Sequence, residues 1–123
     1  MIHFDTNFLI QATKGGSPSH HDFRKWSAAG EILTVSSIAW AEYLCGPLDS
    51  KGEQIARQMF PSPESFLATD ADLAALLFNR TGRRSRSLAD CMIAAVAIRE
   101  GAKLATLNKG DFQPFVSHGL ALA

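Results

Sequence analysis

Four carboxylates in this 123-residue chain lie in segments where they could together bind a metal ion. They fall in four separate segments, at Asp5 in MIHFDTNFLI, Glu42 in SSIAWAEYLCG, Asp90 in SLADCMIAAVAIREG and Asp111 in LNKGDF. Each also has an ordinary structural explanation: Asp favours helix caps and turns, and Ser87 to Asp90 has the spacing of a capping box. Glu42 could be a solvated helical side chain, although its segment is apolar and an unpaired buried carboxylate is costly. Taken one at a time, the structural explanations are favoured.

The segments between these acids predict alternating strands and helices. The predicted strands cover residues 2–5, 32–35, 66–69 and 103–106, with a candidate edge strand in GLALA at the end. The predicted helices cover 6–13, 20–30, 36–46, 49–60, 87–101 and a stretch from a capping box at 69–72 to about Gly82. This alternation predicts an α/β domain whose sheet is mainly parallel and carries helices on both faces. The whole chain, residues 1–123, is predicted to be one domain.

The four acids are predicted to meet at one edge of that sheet. Asp5 and Asp111 follow strands, Glu42 and Asp90 lie early in helices, and such sheets bind ligands beyond the carboxyl ends of their strands. Four carboxylates could not all stay ionised there without a cation, because like charges raise each other's pKa. Oxygen ligands suit Mg²⁺ or Mn²⁺, whereas zinc prefers nitrogen and sulfur. The pattern therefore predicts phosphate chemistry, in which the ion activates a bound water and offsets charge in the transition state.

The segment RTGRRSRS at 80–87 carries four arginines and no acid shortly before Asp90. Alone, this segment would be interpreted as an exposed polar loop. Beside a metal site it becomes a candidate to bind a phosphate backbone through Arg80, Arg83, Arg84 and Arg86.

The composition limits the classes of protein that fit. Twelve basic and twelve acidic residues give a net charge of zero, which argues against a protein that coats nucleic acid by charge alone. No basic segment precedes a long apolar stretch at the start, and no apolar run nears membrane-spanning length, so a cytoplasmic protein without a membrane segment is expected. Cys45 and Cys91 lie in apolar segments and are expected to be buried, reduced thiols.

The four acidic segments together resemble the motifs of PIN-domain ribonucleases, specifically the VapC-type toxins of type II toxin–antitoxin systems. IHFDTNFLI resembles the family's apolar-D-T/S-N-apolar opening, and SIAWAEYLCG resembles a helix that carries Glu and soon ends at Gly. DCMIAAVA resembles D-x-x-I-A-A-x-A, and TLNKGDF resembles T-x-N-x-x-D-F. Four motifs in the family's order form a specific signal, although His3 stands where the family usually has an aliphatic residue.

The resemblance implies a PIN-like three-layer α/β/α sandwich with endoribonuclease activity that uses one or two Mg²⁺ or Mn²⁺ ions. Asp5, Glu42 and Asp90 match the family's core acids, and Asp111 matches a fourth, more variable acid. The polar positions that support such a site are matched by Thr6, Asn7, Thr106 and Asn108. The resemblance also implies an RNA substrate, a homodimer, and inhibition by a small antitoxin that binds DNA and blocks the cleft with its C-terminal segment.

Three other classes of protein remain open at this point. A PIN-like module could bind RNA or protein without cutting, although all four acids are present. A receiver-type phospho-acceptor domain normally needs an acidic pair after its first strand, and here Asp5 is followed by Thr6 and Asn7. A phosphatase with Asp5 as its nucleophile would need a second Asp at the position of Asn7.

Overall fold

Four short parallel strands form the central sheet of the computed structural model, which describes residues 1–83 and 87–123. The sheet order is β2-β1-β3-β4, with β1 at Ile2–Phe4, β2 at Leu33–Val35, β3 at Lys103–Ala105 and β4 at Ala121–Leu122. All three pairings are parallel, and Phe4 lies between Val35 and Ala105, so β2, β1 and β3 end at one edge. The predicted mainly parallel sheet and the predicted edge strand in GLALA are confirmed.

Seven α-helices connect and cover these strands in the described residues: α1 Thr6–Ala12, α2 Pro18–Ala28, α3 Ser37–Cys45, α4 Ser50–Met59, α5 Ala68–Arg80, α6 Leu88–Arg99 and α7 Lys109–Phe112. A 3₁₀ segment, Gln113–His118, follows α7. The first four helices begin where a side-chain oxygen accepts a backbone N–H three residues later, at Asp5, Ser17, Ser36 and Asp49. None of the described helices is both long and apolar enough to cross a membrane.

Two apolar clusters lie on opposite faces of the sheet. Because neighbouring side chains alternate along a strand, Phe4 and Ala105 enter one cluster while Leu104 enters the other. Helices α1, α2 and α4 cover the first cluster, and α5 and α6 cover the second. Helix α3 contributes to both, through Tyr43 and Ala39 respectively. The result is the three-layer α/β/α arrangement.

The predicted strand at 66–69 is wrong. Only an isolated parallel bridge between Ser36 and Glu64 extends the sheet there, and α5 begins at Ala68. The cause is Asp70, whose Oδ2 accepts the Leu67 N–H at 2.8 Å and so starts the helix. The Asp70 side chain is buried and its Oδ1 accepts from Arg99 Nε at 2.8 Å, which ties α5 to α6.

Helix α6 begins differently from the predicted capping box. Ser87 precedes it without a side-chain cap hydrogen bond, and Asp90 lines a cleft instead. The prediction of a largely buried helix is confirmed by residues Cys91 and 93–97. Cys91 is thus a buried thiol, but Cys45 is exposed, contrary to expectation. Cys45 lies two residues after buried Tyr43, which places it on the opposite side of α3.

Candidate active site

A narrow cleft of about 140 Å³ lies at the carboxyl edge of the sheet and brings all four predicted carboxylates together. Asp5 directly follows β1, and α3, α6 and α7 each carry one of the other three. Among the described residues, those that line the cleft are Asp5, Thr6, Asn7, Glu42, Asp90, Ile93, Asn108, Asp111 and Phe112. Seven of these nine were candidates from the sequence.

Asp5 ends β1, caps α1 and lines the cleft at the same time. Its side chain is only 4% exposed, and its Oδ1 accepts the Phe8 N–H at 2.8 Å. Its Oδ2 accepts from the Thr106 hydroxyl at 2.5 Å. Burial raises the pKa of Asp5, as do the charges of Glu42 and Asp111, while the two hydrogen bonds oppose the increase. The capping explanation and the site explanation of Asp5 are therefore compatible.

Glu42 lies in the second turn of α3, on an exposed side of an otherwise apolar helix. Its Oε1 accepts from the Thr6 hydroxyl at 2.6 Å, which joins α3 to the start of α1. The exposed cleft thus supplies the polar surroundings that an ionised group on this helix needs.

Asp90 and Asp111 line the same cleft, from α6 and α7 respectively. Asp90 is half-buried, and its pKa is raised to about 6, first by burial and then by the charges of Asp111, Glu42 and Asp5. Asp111 is exposed, and its N–H donates to the Asn108 carbonyl at 3.0 Å. These neighbouring charges give the cleft a strongly negative potential in the absence of a cation.

Comparison with known proteins identifies the family. The family model described as "PIN domain" matches residues 2–113. The chain belongs to the PIN domain family. No curated protein sequence matches it significantly.

Two solved structures resemble the whole of this PIN domain. One is VapBC2 from Rickettsia felis, solved with a DNA fragment from the promoter, at 25% identity and a TM-score of 0.74, covering 100% of this chain and 98% of the other. The second is FitAcB from Neisseria gonorrhoeae, at 21% identity and a TM-score of 0.71, covering 100% and 97% respectively. The second likeness, at 21% identity, supports the fold alone.

The donor atoms of the cleft suit a hard divalent cation, because all four carboxylates offer oxygen. As the side chains lie, however, no group of three or more His, Cys, Asp or Glu residues within 1–83 and 87–123 is arranged to hold an ion. Asp5 and Glu42 are instead engaged by the hydroxyls of Thr106 and Thr6. Holding one ion among these residues therefore requires side-chain rotation, most easily by the exposed Glu42.

Of the predicted arginines, Arg80 and Arg83 are not part of the cleft lining. Arg80 ends α5 and is exposed, and Arg83 is exposed with a left-handed φ of 56°. Arg84 and Arg86 lie outside the described residues. The interpretation of this loop as a phosphate-binding element stays a prediction.

Two apolar residues of the cleft were not among the sequence candidates. Ile93 and Phe112 line it, and both are buried. Their positions carried a usable signal, because Ile93 follows Asp90 by three residues on one helix face and Phe112 follows Asp111 directly. Their apolar side chains border the carboxylates. This apolar surface contributes to the desolvation that raises the pKa of Asp90.

Proposed function

We propose that this PIN domain is a VapC-type toxin of a type II toxin–antitoxin pair and acts as a metal-dependent endoribonuclease. PIN domains are nucleases. The observation that carries the proposal is the meeting of Asp5, Glu42, Asp90 and Asp111 in one cleft at the carboxyl edge of a parallel sheet. The toxin–antitoxin assignment is supported by the likeness to VapBC2 over the whole chain.

Asp5, Glu42 and Asp90 would hold Mg²⁺ or Mn²⁺, with Asp111 holding the same ion or a second one. Such an ion, when bound, lowers the pKa of a water ligand and offsets charge on the scissile phosphate. The Thr106 hydroxyl and the Phe8 N–H orient the Asp5 carboxylate and oppose the increase in its pKa that burial causes. Because the pKa of Asp90 is raised to about 6, protons compete with a cation for this carboxylate at and below that pH.

The other residues of the proposed site are polar side chains that support the metal site and arginines that bind the substrate. Asn7 and Asn108 present side chains at the cleft, where an amide can orient a ligand water or a phosphate oxygen. The arginines at 80, 83, 84 and 86 are proposed to bind the RNA backbone. Because the net charge is zero, this local contribution is needed to bring a polyanion to an acidic cleft.

The proposal includes two protein partners. The relative from Rickettsia felis was solved as a VapBC2 complex with promoter DNA, and we propose that an antitoxin of this kind, itself DNA-binding, inhibits the present protein. We also propose a homodimer that acts on RNA in the cytoplasm. A short gene for a DNA-binding protein directly upstream would support the pairing.

The decisive experiment maps RNA ends after cleavage by the purified protein in Mg²⁺ or Mn²⁺. Attack by water should leave 5′-phosphate and 3′-hydroxyl ends, whereas 2′,3′-cyclic phosphates would exclude the mechanism. Asp5→Asn should abolish cleavage. Asp49→Asn is the matched control, because Asp49 also caps a helix through a backbone N–H but lies outside the carboxylate cleft.

A non-cutting PIN-like module is the alternative. It would bind RNA without cleaving it in any divalent metal, and Asp5→Asn would leave its affinity for RNA nearly unchanged. The presence of all four carboxylates in one cleft favours the nuclease.

A further inference from the structure

A second cavity, of about 580 Å³, lies beside the end of α1, the end of α3 and the start of α4. Its volume falls within the range of about 300–1,000 Å³ that is typical of small-ligand sites. Apolar side chains form part of its lining: Ile10 from α1, Leu48 from the loop before α4, and Ile55 from α4. The proposed function gives this cavity no role.

The cavity lies on the same seam between α1 and α3 as the carboxylate cleft. On α1, Thr6 lines the cleft, whereas Ile10 and Thr13, which share its helix face, line the cavity. On α3, Glu42 lines the cleft and the adjacent Tyr43 lines the cavity. Seven residues of helix from Thr6 to Thr13 cover about 10 Å. A stacked single strand covers that distance in about three nucleotides.

The charge of the cavity lining is opposite in sign to that of the cleft. Lys14, which follows α1, and Lys51, in the first turn of α4, both line the cavity and are exposed. Neither lysine forms an ion pair within residues 1–83 and 87–123. Asp49 is the one acid among the described lining residues, and its Oδ1 accepts the Gly52 N–H at 2.5 Å. The two lysines therefore complement a ligand that carries negative charge.

Lys51 is not explained by the stability of its helix. It follows the N-cap of α4 by two residues, and the amino end of a helix disfavours cations. A ligand anion beside it would offset this unfavourable placement.

Two further side chains of the lining offer hydrogen bonds. His20 Nδ1 lies 2.8 Å from the Ala12 carbonyl, which can only accept, so Nδ1 carries the proton and Nε2 of the neutral ring is an acceptor. The ring of Tyr43 is buried, but its hydroxyl lies beside Gly52, where a Cβ would be 3.7 Å from it. Apolar surface, a hydrogen-bond acceptor, a hydroxyl and two cations together match a nucleotide, which has an apolar base face, polar base edges and an anionic phosphate.

We propose that this cavity is a subsite for one nucleotide of the RNA substrate, about three nucleotides from the bond that is cleaved. The base packs against Ile10, Leu48 and Ile55, and Lys14 and Lys51 bind the phosphates beside it. This inference rests on the proposed function. It deepens that function, because the two lysines offset the repulsion between RNA and the acidic cleft. A protein partner with acidic and apolar side chains is the competing occupant.

The first experiment measures kcat/KM of the intact protein in Mn²⁺ on one RNA oligonucleotide and on versions that each lack a single base near the cleaved bond. Loss of the base that enters the cavity should lower kcat/KM about tenfold, the effect of one stacked base. In Ile55→Trp, whose larger side chain fills the cavity, removal of that base should cost nothing further. A kcat/KM that no base about three nucleotides from the bond affects, or an equal loss in Ile55→Trp, would overturn the subsite.

The lysines are tested through ionic strength. One phosphate contact to a single strand contributes about 0.7 to the slope of log affinity against log salt. Lys14→Gln and Lys51→Gln should each lower the corresponding slope of kcat/KM by about this amount. Lys25→Gln is the matched control, because Lys25 is an exposed lysine on α2 that does not line the cavity. Equal slopes for the wild type and the double variant Lys14→Gln/Lys51→Gln would contradict the subsite.

Nucleotide binding without cleavage separates this inference from the proposed function. The four ribonucleoside 5′-monophosphates are titrated into the metal-free protein to millimolar concentration, and NMR follows the amides of Gly15, Gly46 and Gly52, which line the cavity. Shifts that the double lysine variant loses support a nucleotide site, even in a protein that cuts no RNA and so contradicts the proposed function.

Two results of that titration count against the inference. If the protein cuts no RNA and no nucleotide shifts these amides, the cavity is not a nucleotide site. Shifts caused by a short acidic peptide of Leu and Glu, but by no nucleotide, would assign the cavity to a protein partner instead.

Discussion

The Thr106 hydroxyl donates to Asp5 Oδ2 at 2.5 Å and thereby joins two residues that are 101 positions apart in the chain. The same hydroxyl oxygen accepts the Asn108 N–H at 2.9 Å. Thr106 thus connects the loop after β3 to the end of β1. A turn follows directly, in which the Asp111 N–H donates to the Asn108 carbonyl. One buried hydroxyl connects the position of Asp5 to that of the fourth acid.

Replacing Thr106 by Val should test this connection. We expect the pKa of Asp5 to rise further, because the lost donor stabilised its ionised form. Affinity for Mn²⁺ should fall about tenfold, the lower end of the loss seen when a hydrogen-bond partner of a metal ligand is removed. Thr106→Ser keeps the donor and is the control, and equal affinities for the Val and Ser variants would contradict the role.

The pKa of Asp90 predicts how the stability of the metal-free protein depends on pH. The folded value of about 6 exceeds the ordinary 3.8, so the native state binds more protons than the unfolded state between these values. The contribution of Asp90 to the free energy of unfolding therefore falls as pH rises from about 4 to 6. Asp90→Asn should stabilise the metal-free protein at pH 8, on the order of 1 kcal/mol after allowance for solvent screening.

Urea denaturation of the wild type and of Asp90→Asn, at several pH values and with a metal chelator present, measures this effect. Taking the difference between their free energies of unfolding cancels the contributions of the other titratable groups. A difference that is constant from pH 4 to pH 8 would contradict the raised pKa. Apparent Mn²⁺ affinity of the wild type should also weaken below pH 6, where proton and cation compete for Asp90.

His3 predicts a pH dependence of the opposite sign. It is 1% exposed in the middle of β1, and neither ring nitrogen has a hydrogen-bond partner in the described residues. Burial lowers its pKa from 6.5 to about 4, so the unfolded chain gains a proton first as pH falls through this window, and stability is lost. His3→Leu should raise the free energy of unfolding by about 1–3 kcal/mol at pH 7, and by more at pH 5.

Thermal or urea unfolding of His3→Leu at both pH values checks this expectation. His21→Leu serves as the control, because His21 is exposed on α2 and its replacement should change stability by less than about 0.5 kcal/mol. A destabilised His3→Leu protein would show that the imidazole is satisfied, for example by a buried water.

The ion pair between the buried carboxylate of Asp70 and the partly exposed Arg99 should matter more than a pair that is exposed at both ends. Asp70→Asn removes the charged acceptor of the Arg99 hydrogen bond at 2.8 Å, while Arg99 keeps its contact with Glu64 at 3.7 Å, and should cost about 2 kcal/mol. Glu53→Gln breaks the exposed pair with Arg57 on α4 and should cost less than about 0.5 kcal/mol. Chemical denaturation compares the two variants, and similar losses would contradict the importance of burial.

Local signals in the sequence predicted most of the helices and strands. Ser36 caps α3 and Gly46 ends it, as the segment SSIAWAEYLCG predicts. The alternation of strands and helices was enough to predict a parallel sheet, and therefore the edge at which Asp5 and Asp111 lie. These features depend on hydrogen bonds and side-chain periodicity within a few residues. A single sequence is therefore enough to predict them.

Where the local sequence favoured more than one structure, tertiary contacts determined which one forms. The segment FLAT has strand-like residues, but Asp70, held by Arg99 from a distant helix, starts α5 there instead. Ser87 and Asp90 have capping-box spacing, but Asp90 turns to the cleft. In the first case, a buried carboxylate is held by a partner that lies 29 positions away in the sequence.

By itself, the sequence determined the types of chemical group in this PIN domain and the order of the elements that carry them. Only the tertiary structure decided which hydroxyl meets which carboxylate: Thr6 with Glu42 across 36 residues, and Thr106 with Asp5 across 101. It also decided that His3 is buried without a hydrogen-bond partner in the described residues. The physical reason is the distance along the chain over which each effect acts. Helix and strand signals act within a few residues, whereas burial and side-chain pairing depend on how the layers pack.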